Sequence, residues 1–362
     1  MKTRIELHLI IYIAIALASF ASCENEIPYH PEAQEPQLIM NALLDAGEAE
    51  NYVYLHLSRG YSFEQFGEAT LTLSVNGQAE TVETISPEEY YKNVKDKFDE
   101  ELFKQIVENM RFKPFRLTTT FHPGDHIRLE ATGENGKYRA SAEVTVPQPI
   151  ESLHVDTCTT YLYEYNRAYP YRQYKVTLQD RPGEKNHYRL DIWNDLTFRC
   201  QWYDYQESGD RVLIDSLVTM NREKEIINRE DVILTDGHPG TYDDEDNELF
   251  PTISNKYNIF TDNTFRNSQA TLLVYTPLYR DKRPSIACRY LYRKQTITVR
   301  LLSLTEAEYR YLKALNCLED GDYDETLMEP VCLPSNVEGG LGFVGACSEA
   351  KVTIEIPEVK IW

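Results

Sequence analysis

The chain has 362 residues, of which 37 are basic and 58 are acidic, so its formal net charge at pH 7 is −21. A field of this sign repels phosphates, which proteins bind through Lys and Arg. The composition therefore argues against nucleic acid as a partner and against charge-driven binding to a membrane surface. The length exceeds what one hydrophobic core usually serves, so we expect two domains.

The first segment has the three-part pattern of a bacterial secretory signal. Lys2 and Arg4 precede a mostly apolar run from Leu7 to Phe20, and small residues lead to Cys23. The run is shorter than the roughly 20 apolar residues that a membrane-crossing helix needs. A cysteine in this position predicts a lipoprotein signal over residues 1–22, with lipid chains on Cys23 that anchor the protein in the bilayer. The alternative is a plain secretory signal followed by an ordinary thiol.

Residues 23–37 form an acidic, proline-spaced tether that begins Cys23-Glu24-Asn25-Glu26. This start resembles the segment after the lipidated cysteine in surface-exposed lipoproteins of the Bacteroidetes. The resemblance implies an outer-membrane protein, held by lipid, that faces the extracellular side.

Residues 38–146 have the pattern of an immunoglobulin-like β-sandwich. Apolar and polar residues alternate over 52–58 and 71–75, and Asn76-Gly77 is a two-residue hairpin signal. Residues 87–110 carry apolar residues at helical spacing after a Ser-Pro start, which predicts a helical insertion between strands.

Residues 150–362 predict a larger antiparallel β-sheet or barrel-like domain with one helix. Strand patterns recur from Leu153 to Ile356, and Thr305 with Glu308 forms a capping-box signal for the helix. The whole chain is therefore expected to be mainly β.

The second half also holds all the cysteines other than Cys23. An exported chain with an even number of cysteines is typical of a disulfide framework, and six cysteines allow 15 connectivities. Buried free thiols are the alternative, and we weigh the two evenly. The six are Cys158, Cys200, Cys288, Cys317, Cys332 and Cys347.

Aromatic residues of the second domain are the candidate ligand-binding surface. Their rings suit stacking on sugars, peptides or proteins, although packing within a sheet is the commoner use of such residues. The candidates are Tyr161, Tyr163, Tyr165, Trp193 and Trp202.

The sequence carries few signs of catalytic or metal-binding chemistry. The sequence has none of the standard motifs of zinc proteases, serine hydrolases or phosphate-binding loops, so we predict no catalytic residues, no cofactor and a binding or accessory role rather than an enzyme. One acidic loop offers hard oxygen ligands for calcium but lacks the EF-hand order, and a solvated loop is the simpler interpretation. Its candidate ligands are Asp243, Asp244, Asp246 and Glu248.

The C-terminal third carries an ordered set of motifs. They include Phe260-Thr261-Asp262-Asn263-Thr264-Phe265 and the closing segment from Ser335 to Ala346, which has the pattern Asn-x-x-Gly-Gly-x-Gly-Phe. Together with the strand from Leu38 to Asp45, these motifs resemble the Bacteroidetes outer-membrane lipoproteins called domain of unknown function 4249, over nearly the whole chain after the signal.

The resemblance implies a role beside a TonB-dependent outer-membrane receptor, because such lipoproteins are typically encoded next to one. We therefore expect an accessory or ligand-capturing partner of a nutrient transporter. An adhesin or structural cell-surface protein is the alternative, and a hydrolase with an unrecognised site is the third hypothesis. The resemblance carries no catalytic residues over to this chain.

Overall fold

A computed structural model describes residues 36–58, 67–92, 100–164, 167–205, 210–239, 255–278, 289–319 and 333–360, and places everything from Gln37 onward in one compact unit. The predicted signal, Cys23 and the tether up to residue 35 lie outside the described residues. Within the described ranges no helix has the length and apolar character needed to cross a membrane.

The described chain is mainly β, as the sequence predicts. Its strands are β1 Leu38–Asp45, β2 Asn51–Leu57, β3 Ala69–Val75, β4 Gln78–Glu80, β5 Val82–Thr84, β6 Lys113–Leu117, β7 His126–Gly133, β8 Tyr138–Thr145, β9 Leu153–Glu164, β10 Arg167–Gln179, β11 His187–Tyr205, β12 Arg211–Glu223, β13 Ile259–Thr261, β14 Gln269–Pro277, β15 Arg289–Leu304 and β16 Leu341–Lys360. Its α-helices are α1 Pro87–Tyr90, α2 Glu100–Glu108 and α3 Glu306–Leu318.

The strands form three open sheets. The largest has nine strands in the order β12-β11-β15-β16-β1-β2-β6-β5, with β13 also paired to β11, so it takes strands from both sides of residue 147. The second sheet has the order β4-β3-β7-β8, and the third has the order β14-β10-β9. Of the two predicted forms for the second half, the open sheet is the one observed.

Two hydrophobic cores lie against the largest sheet. In β1 the alternate residues Leu38, Met40, Ala42 and Leu44 are buried, and they pack with β2, β6 and the second sheet as one sandwich. In the first part of β11, Tyr188, Leu190 and Ile192 pack with the third sheet in the second core. The period of two along each strand sets which side chains enter a core.

The predicted helical insertion contains two described helices. Ser86 caps α1, because its side-chain oxygen accepts a hydrogen bond from the Glu89 backbone N–H at 3.2 Å. Helix α2 buries Phe103. Residues 93–99, between these helices, are outside the described ranges.

The strand β16 connects the two cores. Residues Leu341–Cys347 pair in parallel with β1, and residues Cys347–Lys360 pair antiparallel with β15. The parallel ladder is a finding that the sequence patterns did not predict. A long sequence separation between its two strands explains this, because periodicity identifies a strand and not its partner.

The glycines of the closing motif permit this ladder. A Cβ at Gly342, where φ is +106°, would lie 2.3 Å from the Met40 carbonyl oxygen, and one at Gly340 would lie 2.3 Å from the Leu38 carbonyl oxygen. The Asn336 side chain donates to the Val344 carbonyl at 2.7 Å and accepts from the Val344 N–H at 2.9 Å. The motif therefore allows β16 to lie close enough to β1 to pair with it.

Candidate functional site: the exposed face of a long hairpin

Among the described residues of the second half, the largest group of exposed apolar side chains lies on the hairpin of β11 and β12. Odd-numbered residues of β11 point away from the second core, and towards the tip they include Tyr203, which is 61% exposed, and Tyr205. Leu213 lies directly across from Tyr203, and Leu217, 60% exposed, lies on the same face of β12. We call these four residues the tyrosine face.

Charged groups border the tyrosine face. The Arg211 guanidinium lies 5.2 Å from the centre of the Tyr205 ring, within cation–π range. Arg199 donates two hydrogen bonds of 3.0 Å to Asp215, and these bonds lower the pKa of the Asp215 carboxyl. Exposed tyrosines and leucines beside such charges resemble the composition of protein–protein contact surfaces, in which aromatic residues and Arg are enriched.

The tyrosines predicted from the sequence lie on a different hairpin. Tyr161 and Tyr163 share one face of β9 and are both exposed, across from Pro170 and Ala168 of β10. Tyr165 lies outside the described residues. The two described tyrosines are accessible for contact, and they form a separate patch on the third sheet.

The structure does not bring the two predicted tryptophans together. Trp193 and Trp202 are nine positions apart on β11 and therefore point to opposite faces of the sheet. Trp202 packs in a small cluster with Phe198 and Val218. The indole N–H of Trp193 is buried without a hydrogen-bond partner among the described residues, so its polar tip is not presented to a ligand.

Buried ionisable groups lie elsewhere, where α3 covers the largest sheet. Glu308 is 4% exposed, and burial together with the nearby Asp45 charge raises its pKa to about 8. The Cys347 thiol donates to Asp45, and burial, Glu308 and Asp45 raise the pKa of that thiol. The Glu308 side chain has one oxygen with no described hydrogen-bond partner. We call Asp45, Glu308 and Cys347 the buried acid cluster.

The buried acid cluster has no room for a ligand. A Cβ at Gly345 would lie 2.6 Å from the Phe343 ring and 2.8 Å from the Glu308 carboxylate. Beside it, Leu302, Leu304 and Leu312 form an apolar contact between α3 and the sheet. The cluster is therefore part of the helix–sheet contact.

A shallow cleft of about 210 Å³ opens between the start of α3 and the segment before β16. It is smaller than the roughly 300 Å³ at which small-molecule pockets begin. On its helix side, Arg310 and Glu306 of α3 form an ion pair of 2.6 Å, and on its other side the Asn336 amide is held by Val344. The polar groups of the cleft are thus engaged within the protein.

The cysteine and calcium predictions are only partly covered by the described ranges. Among the four described cysteines, Cys158 is exposed, Cys317 is intermediate, and Cys200 and Cys347 are buried, and no disulfide joins any two of them. Cys288 and Cys332 fall outside the described residues, as do Asp243, Asp244, Asp246 and Glu248. Over the described ranges, no group of three His, Cys, Asp or Glu side chains is placed to hold a metal ion.

Sequence reasoning missed two parts of this picture. Leu213 and Leu217 belong to the run Val212-Leu213-Ile214-Asp215-Ser216-Leu217-Val218, where apolar residues occupy both faces of one strand. That pattern is equally typical of a strand buried on both faces, so it did not mark the exposed face. The burial of Glu308 gave no local signal, because the same residue satisfies a capping box at a solvent-exposed helix start.

Comparisons with known proteins complete the description. None of the curated proteins searched matches the chain. Among solved structures, it is similar to the crystal structure of a DUF4785 family protein from Legionella pneumophila, with a TM-score of 0.22 and 8% identity, over 74% of this chain and about half (52%) of that chain. The family model described as Domain of unknown function (DUF4249) matches residues 24–353. The chain therefore belongs to the DUF4249 family.

Proposed function

We propose that the protein is a lipid-anchored outer-membrane protein, displayed on the cell surface, that acts as an accessory or ligand-capturing partner of a TonB-dependent nutrient transporter. Its contact surface is the tyrosine face. The protein binds, and it performs no chemistry of its own.

The exposure of the tyrosine face carries this proposal. On one side of the hairpin, large apolar groups are exposed to water, namely those of Tyr203, Tyr205, Leu213 and Leu217. Covering apolar area is favourable by about 25 cal/mol per Å². A partner that covers this face gains that free energy, and the tyrosine hydroxyls can still hydrogen-bond at its rim.

The extent of the family match supports the attachment. The match begins at residue 24, directly after Cys23, and so leaves the predicted signal and the lipidated cysteine outside the family domain. An export signal followed by an anchored ectodomain has this arrangement.

Affinity purification tests the proposal. The full-length tagged chain is recovered from detergent-solubilised outer membranes of its host, and the co-purified proteins are identified by mass spectrometry. We expect a TonB-dependent receptor. Failure to recover any receptor would contradict the function, and recovery of fimbrial or adhesive proteins would favour the adhesin alternative.

A pair of double variants tests the surface. Tyr203→Ala with Tyr205→Ala is expected to lower receptor recovery about tenfold, because buried tyrosines are common hot spots. Tyr161→Ala with Tyr163→Ala removes two equally exposed tyrosines from the other hairpin and is the matched control. Equal recovery from both double variants, or a loss confined to the control, would show that the tyrosine face is not the contact surface.

A further inference from the structure

The outermost strand of the largest sheet presents an unpaired edge. Strand β12 has 13 residues, Arg211–Glu223, and pairs with β11 along one side only. Within the described ranges no element pairs with its other side. A long edge strand exposes a row of N–H and C=O groups that can accept another strand.

The sequence of β12 lacks three of the features that commonly protect an edge. Natural proteins block edge strands with Pro, Lys or β-bulges, and β12 contains neither Pro nor Lys nor a register shift against β11. Val212 and Leu213 are exposed on its two faces. The open strand therefore carries exposed apolar side chains, and its charged residues lie at its ends apart from Asp215, which Arg199 binds.

The residues of β12 are complementary to a second β12 in antiparallel orientation. Full overlap of two 13-residue strands places Leu217 opposite Leu217 of the second copy, at a two-fold axis. In the same register Arg211 lies opposite Glu223 of the second copy, once at each end, and Ile214 lies opposite Met220. Opposite charges and apolar pairs facing each other across strands are stabilising.

Moving the axis by one residue in either direction removes the terminal charge pairs. With Ser216 at the axis, Ile214 falls opposite Val218, but Asp215 falls opposite Leu217 and Arg211 opposite Asn221 of the second copy. With Val218 at the axis, Leu213 falls opposite Glu223 of the second copy. The full-overlap register alone pairs the terminal charges with each other.

We propose that the protein forms a homodimer in which β12 of two copies pair edge to edge, antiparallel, with Leu217 at the two-fold axis. Because the axis is perpendicular to the sheet, the two tyrosine faces lie on the same side and form one continuous surface of double the area. The proposal does not depend on which partner the tyrosine face contacts.

Sedimentation velocity of the purified chain over a range of concentrations tests the dimer. Leu217→Lys places two ammonium groups against each other at the axis and is expected to lower the association constant about tenfold or more, since like charges directly opposite are destabilising. Val232→Lys is the matched control, because Val232 is 56% exposed and lies outside β12. We expect it to dimerise like the native chain.

Charge reversal tests the register. Arg211→Glu and Glu223→Arg each place like charges opposite one another and weaken the dimer, whereas the double variant restores the opposite-charge pairs. Within one chain these residues are about 40 Å apart along the strand, so they cannot compensate for each other there. Recovery in the double variant therefore reports contact between copies.

Three outcomes would overturn the proposal. One is a native chain that stays monomeric at every concentration. Another is a dimer that Leu217→Lys leaves intact. The third is a charge-reversed double variant no stronger than the sum of its single variants, which would reject the register.

Discussion

Glu308 shows how one residue can meet a local rule and serve a different purpose. The sequence pattern Thr305-x-x-Glu308 predicts a capping box, and Thr305 does begin α3, with its side chain accepting from the Glu308 N–H. The reciprocal bond is absent, because the Thr305 backbone N–H donates to the Ala346 carbonyl at 3.1 Å. The Glu308 side chain turns into the helix–sheet contact instead.

Burial of this carboxyl makes stability depend on pH. The pKa of Glu308 rises from 4.5 to about 8 on folding, so between these values the folded chain holds a proton that the unfolded chain has lost. The free energy of unfolding therefore falls as pH rises through this window, by on the order of a few kcal/mol, and this contribution is fully present below pH 4.5.

Glu308→Gln is expected to remove that part of the pH dependence, because the amide keeps the shape and cannot ionise. Urea unfolding at pH 5 and at pH 8.5 measures the difference. Glu306→Gln, an exposed change on the same helix, is the control and should follow the native profile. If the native chain and Glu308→Gln lose stability in parallel over this range, the buried carboxyl is not the cause.

At the scale of elements, local patterns predicted strands and turns well. Asn76-Gly77 joins β3 to β4, and both residues have positive φ, as the two-residue turn requires. The start of α3 was likewise predicted from a local pattern, the Thr305 cap. Strand partners are not local, so neither the parallel ladder nor the exposure of the tyrosine face followed from periodicity, which cannot tell an inward face from an outward one at an edge.

The docking of β16 gives a prediction about glycine. Gly342 and Gly77 both have positive φ, but a Cβ at Gly77 has open space, whereas one at Gly342 meets the Met40 backbone. Gly77→Ala should cost about 1–2 kcal/mol for the left-handed backbone alone.

Gly342→Ala should lower the free energy of unfolding by several kcal/mol more than Gly77→Ala does. The reason is that the start of β16 must move away from β1 to make room for the new Cβ. Chemical denaturation of both variants compares them under one condition. Similar midpoints for the two variants would mean that the close approach of β16 to β1 does not contribute to stability.

At the scale of the whole molecule, the proposed lipid attachment makes Cys23 the residue that would decide where the protein resides. Cys23→Ser is expected to abolish incorporation of radiolabelled palmitate and to move the protein from the membrane fraction to the soluble fraction, since several acyl chains on one residue give firm anchoring. Cys158→Ser, at an exposed cysteine of β9, should change neither. A Cys23→Ser chain that stays with the membrane would refute lipid anchoring through this residue.

The fold class was predictable at this scale, and the sheet order was not. Alternation and turn residues indicate many short strands, which suffices for a mainly β chain. The shared nine-stranded sheet depends on contacts such as Asn41 with Phe343, which lie 302 positions apart and leave no mark in either local sequence. The candidate surface was partly predictable, because aromatic density marked the half of the chain in which the tyrosine face lies.

The double pairing of β16 also sets the order in which the chain can fold. The first half of β16 completes the sandwich built on β1, and the second half pairs with β15 in the sheet that faces β10 and β14. Neither core therefore closes before this last segment has been synthesised. Contacts at such separation are closed late and slowly. Strand β1, which pairs with β2 on one side, therefore keeps its other edge unpaired until β16 is available.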